Sequence, residues 1–181
     1  MRKLIWFTVI VLALSAFALA EDTSAPKVEV FGGYSLLHTG NGALISGDST
    51  NFNGWNAAVT GYFTRYLGLT ADISGGYNSN ISSTGEDGHV YNFLFGPTVR
   101  LNNGGKLTPF AHALFGVSQV NGGITGNVKE SDFAMAVGGG ADYKLTSKFS
   151  VRLAQLDWLR TNYYNTSQNN MRLSTGVVFH F

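Results

Sequence analysis

The chain has 181 residues, 44% of them hydrophobic and 13% aromatic, but only 13% charged, about half the charge of an ordinary soluble domain. With no cysteine and a formal net charge of +1, it cannot be a disulfide framework, a thiolate metal site or a cysteine-nucleophile enzyme, and a strongly basic nucleic-acid binder is excluded. Glycine numbers 23, and abundant glycine and aromatics with little charge point to β-structure against something apolar, not to disorder.

Arg2 and Lys3 precede an apolar run over residues 4–14, and the stretch ends Ala18, Leu19, Ala20 before Glu21 and Asp22. A basic start, an apolar centre and small residues at the cut predict a signal peptide over residues 1–20, cleaved after Ala20. An uncleaved anchor is the alternative, since 4–20 nearly reaches membrane-helix length. The remaining single domain, 21–181, holds no second apolar run of that length. If it crosses a membrane, it must do so as a closed β-barrel.

Read with a period of two, the domain divides into eight segments: 27–38, 52–65, 67–77, 89–101, 106–119, 132–144, 148–160 and 170–181. Most exceed the ~9–11 residues a tilted strand needs to cross hydrocarbon. Long polar connections at 39–51, 78–88, 120–131 and 161–169 alternate with short ones at Tyr66, 102–105 and 145–147. Long loops at one end and short turns at the other are the asymmetry of outer-membrane barrels. A soluble lipocalin-type barrel gives no reason for it.

Within the segments one face is large and apolar, the other small, polar or charged. Leu67, Leu69, Ala71, Ile73 and Tyr77 oppose Gly68, Thr70, Asp72, Ser74 and Gly76; Met171, Leu173, Val177, Phe179 and Phe181 oppose Arg172, Ser174, Gly176, Val178 and His180. So continuous an apolar face is not left to water. It is expected to face lipid. With both termini at the short-turn end, Trp55, Tyr77, Tyr91, Phe133 and Trp158 form a girdle at the loop end. Phe63, Tyr66, Tyr143, Phe149, Phe179 and Phe181 form one at the turn end, and an aliphatic band is expected between them.

The inward face carries Glu29, Asp72, Arg100, Asp142, Arg152 and Arg172. Asp157 joins them if a bulge near 154–155 switches parity there, which also turns Trp158 outward. Buried charges must be paired, and an eight-stranded barrel is narrow enough for side chains to fill. These seven residues are expected to form a lumen ion network, with Arg152 and Arg172 held by carboxylates. A conducting polar path is the alternative. His38, His89, His112 and His180 lack ligand spacing, so no metal and no cofactor are expected. Glycine runs such as 138–140 do not sit between a strand and a helix, as a phosphate cradle requires. Lys27, Arg65, Lys106, Lys144 and Lys148 gather at the turn end, where solvated rim charge or snorkelling to lipid phosphate accounts for them.

The C-terminal pattern Ser174-x-Gly176-x-x-Phe179-x-Phe181 resembles the terminal signal read by the outer-membrane barrel assembly machinery, with Gly176, Phe179 and Phe181 as its marks. Together with the eight segments, residues 27–181 resemble the OmpA-type, porin-superfamily β-barrel domain. That resemblance implies an eight-stranded antiparallel up-and-down transmembrane barrel in the bacterial outer membrane. It also implies outer-membrane lipid around the barrel and the assembly machinery as partner during biogenesis. Lipid A deacylases share the architecture but need an H-x-S motif, which this sequence lacks. The expected protein is a monomeric, non-catalytic barrel, envelope-structural or loop-presenting, that binds no nucleic acid. A small-solute or ion pore is the alternative.

Overall fold

The computed structural model describes residues 27–40, 50–78, 88–101, 105–121, 129–163 and 166–181. They form eight strands: β1 (Val28–Thr39), β2 (Thr50–Tyr62), β3 (Leu67–Asn78), β4 (Gly88–Arg100), β5 (Leu107–Asn121), β6 (Lys129–Lys144), β7 (Phe149–Tyr163) and β8 (Thr166–His180). Each pairs antiparallel with its chain neighbour, and β1 closes on β8. The signal segment expected over 1–20 lies outside the described residues. At the seam, Lys27 and Val28 donate their N–H groups to the Phe181 carbonyl, at 3.1 and 3.3 Å. Glycine permits the approach of the closing strands, because a Cβ on Gly176 would collide with the Gly32 carbonyl.

Several boundaries differ from expectation. The second strand stops at Tyr62, and Phe63 belongs to the turn 63–66. Thr64 holds that turn by accepting from the N–H groups of Tyr66 and Leu67, at 3.2 and 2.9 Å. Thr146 does the same in the turn 145–148 for Lys148 and Phe149. Such hydroxyl-to-backbone bonds favour turns over ladder continuation. At the other end, β7 and β8 run on to the pair Tyr163↔Thr166. The fourth outer connection is therefore two residues, 164–165, and not the long loop 161–169 that polar composition suggested. Lys129 and Glu130 likewise lie in β6, paired with Asn121 and Val120.

Side-chain direction follows the period-two pattern. In β3, Asp72 and Ser74 are buried while Leu67, Ile73 and Tyr77 are exposed. In β7 the register shifts between Arg152 and Gln155, leaving both Leu153 and Ala154 on the outside. This bulge returns Gln155, Asp157 and Leu159 to the interior and Trp158 to the exterior. The outer band between the girdles is not purely aliphatic. Phe93, Phe95 and Phe115 stand on it near mid-strand, all exposed.

Candidate functional site

The interior of the barrel is where charge collects. Arg172 on β8 is 1% exposed and reaches across to β3, where its Nη1 donates to Asp72 Oδ1 at 2.7 Å and to Ser74 Oγ at 2.9 Å. Its Nε and Nη2 donate to Asp157 Oδ2 at 2.9 and 2.7 Å. One guanidinium thus joins two fully buried carboxylates. Asn56 Nδ2 donates to the other Asp72 oxygen at 2.8 Å, and His112 Nε2 lies 2.8 Å from Asp157 Oδ1. Room for Asp157 comes from Gly138, its partner on β6, where a Cβ would strike the Asp157 carboxylate.

The network continues toward the turns. Gln155 donates to Asp157 at 2.8 Å and accepts from Arg152 Nη1 at 2.7 Å. Arg152 grips Asp142 with two parallel bonds of 2.8 and 3.0 Å, the fork geometry that suits guanidinium to carboxylate. Its guanidinium lies between the rings of Phe31 and Phe110, 4.3 and 4.1 Å from their centres. At the turn end Glu29 pairs with Arg100 and accepts from Tyr62 OH at 3.2 Å. Arg100 also sits over the Tyr62 ring at 3.6 Å. His180 Nδ1 stands 3.2 Å from Glu29, and its Nε2 lies 2.7 Å from Ser150 Oγ.

Toward the loops the filling changes character. Leu37, Phe52, Val90, Leu94, Leu114, Ala134, Ala136 and Leu159 make one buried apolar cluster. The two layers meet at Arg172, whose neighbour on β1 is Leu37. A small cavity lies there, between Ser35, Leu37, Phe52, Ser74, Asn92 and Arg172.

Outside, Trp55, Tyr77 and Phe133 are exposed toward the loop end, with Trp158 on β7. Trp55 Nε1 and Tyr91 OH both donate to Tyr77 OH at 3.3 Å. At the turn end Tyr143, Phe149 and Phe179 are exposed, the last two packed edge to face at 4.8 Å. Phe63 and Phe181 are exposed at the same end.

Charge buried in the interior, an apolar exterior and a closed ladder describe a barrel built for a bilayer. The model of the outer membrane protein beta-barrel domain family matches residues 7–181. The chain belongs to that family. Its place is the bacterial outer membrane. No curated protein matches the sequence. Among solved structures it is similar to Neisserial surface protein A, at 15% identity and a TM-score of 0.72, over 87% of this chain and 99% of that one. It is also similar to OprG from Pseudomonas aeruginosa, at 9% identity and 0.59, over 87% and 96%. The attachment invasion locus protein Ail of Yersinia pestis gives 15% identity and 0.55, over 86% and 99%. At these identities the likeness is one of fold.

For this outer-membrane barrel, sequence reasoning named the charged lumen residues but not their neutral companions. Tyr62, Asn56, Gln155 and Ser150 each bond a charged or imidazole group, and all sit at inward positions. Inward parity combined with hydrogen-bonding capacity was the available signal. Among the described residues, no group of three or more His, Asp or Glu side chains is arranged to hold a metal ion.

Proposed function

We propose that the protein is a monomeric, non-catalytic barrel whose lumen is plugged by its own side chains, serving the envelope as a structural element or as a platform for surface loops. The observation that carries this is Arg172, buried between carboxylates of β3 and β7, where a solute would have to pass. Breaking such pairs to open a path leaves uncompensated charge and is strongly unfavourable. Ser150, His180 and Glu29 stand in the order of a nucleophilic triad. Glu29 is already held by Arg100 and Tyr62, and Ser150 is buried, so these groups belong to the plug. The signal peptide ending at Ala20, the domain 21–181, the lipid contact of both girdles and assembly through Gly176, Phe179 and Phe181 are parts of the same reading. Nothing in it calls for nucleic acid.

Planar-bilayer recording tests the plug. The purified barrel should show no steady conductance; sustained channels would replace the plug with the small-solute pore. Assembly has its own test. Deleting Phe181 should reduce folded, heat-modifiable barrel in cells far more than shortening the connection 122–128, and equal yields would remove the assembly role.

A further inference from the structure

Five basic side chains ring the turn end: Lys27 before β1, Arg65 in the turn 63–66, Lys106 before β5, and Lys144 and Lys148 around the turn 145–148. All but the half-buried Lys27 are exposed. Four are pinned through their own carbonyls. Lys27 accepts from the Tyr62 N–H at 2.8 Å, Lys106 from the Lys144 N–H at 2.7 Å and Lys148 from the His180 N–H at 2.9 Å. Arg65 accepts from Arg100 Nε at 3.1 Å.

Among the described residues, the acids near this rim are turned away from it. Glu29 and Asp142, near the same end, point into the lumen and are bound by Arg100 and Arg152. Among the described residues none of the five cations forms an ion pair. Among the described residues, the lumen arginines thus leave the rim positive by occupying Glu29 and Asp142.

Beneath the rim lie Phe63, Tyr66, Tyr143, Phe149 and Phe179, all exposed, and the Arg65 guanidinium lies 5.9 Å from the Tyr66 ring centre. Aromatic girdles mark the level where hydrocarbon gives way to headgroups. Flexible basic stems just beyond that level reach the phosphates. We propose that this ring binds the phosphodiester groups of anionic phospholipid in the leaflet facing the turns. The proposal rests on the lipid-facing exterior and adds a headgroup preference to it.

The test is electron spin resonance of the reconstituted barrel with spin-labelled phosphatidylglycerol or phosphatidylcholine in phosphatidylcholine bilayers. At low salt the phosphatidylglycerol label should associate roughly fivefold more strongly, the factor one basic residue near an anionic surface supplies. High salt should erase most of that preference. The variant combining Lys106→Gln, Lys144→Gln and Lys148→Gln should fold, judged by heat modifiability, and lose most of the preference too. Equal association of both labels, or an undiminished preference in the variant, overturns the proposal while leaving the lipid-facing exterior intact. If inorganic phosphate abolishes the preference where chloride at equal ionic strength does not, the rim is a free-anion site and the proposal fails. Absence of a motionally restricted component with either label would refute the lipid-facing exterior itself.

Discussion

The lumen is filled in two ways, and the boundary between them runs past Arg172. On the turn side, each charged group has a named counterpart: Arg100 with Glu29, Arg152 with Asp142, Arg172 with Asp72 and Asp157. On the loop side, Leu37, Leu94, Leu114 and Leu159 fill space with no directional bond. The polar layer depends on identity, since a buried charge without its partner costs far more than the pair contributes. The apolar layer depends on volume, and swaps that conserve volume are tolerated best.

Substitutions that separate the two layers follow, from the largest expected effect downward. Arg172→Ala takes the guanidinium from Asp72 and Asp157 together, and should lower stability by about 3–5 kcal/mol, read as a fall in the heat-modifiability midpoint. A shift no greater than that of the exposed control Ser131→Ala, itself expected within about 0.5 kcal/mol, would erase the distinction. Leu159→Ala should cost about 2–4 kcal/mol through lost burial and an unfilled cavity. Gly138→Ala should cost about 1–3 kcal/mol, because the added methyl group presses on both the Asp157 carboxylate and the Leu156 carbonyl. Combining Gly138→Ala with Arg172→Ala sharpens the comparison. The two effects should add to less than their sum, since Asp157 has then already lost its arginine.

The two layers were not equally legible. Asp72 and Asp142 stand out because they interrupt faces made mostly of small residues, and Arg172 because it stands charged beside Ser174 and Gly176; period two directs all three inward. Leu94 and Leu114 carry no such mark: a leucine reads alike whether it meets lipid or the lumen. The apolar cluster emerges only from the closed structure, which brings β1, β2, β4, β5, β6 and β7 around one axis. Loop length misled at 161–169, where Asn162, Asn165 and Asn169 give a loop-like composition. Cross-strand pairing from Thr161↔Gln168 to Tyr163↔Thr166 overrides it there, as context often overrides strand propensity. The strand number was written plainly in the spacing of turn residues, and closure followed from the bilayer's demand that no sheet edge stay unpaired.

The bulge of β7 acts like a frameshift in a two-letter code. Upstream of Leu153, even-numbered residues of that strand face inward; downstream of Ala154, odd-numbered ones do. The wall therefore records one extra residue, and the inward parity of everything from Gln155 onward depends on the bulge that absorbs it. Straightening the strand there with every residue kept would carry Asp157 toward lipid and Trp158 toward the arginines, whereas deleting either Leu153 or Ala154 would restore plain alternation and leave Asp157 inward. Elsewhere in the barrel wall, insertions and deletions are thus constrained by parity as well as by length unless a bulge absorbs the odd residue.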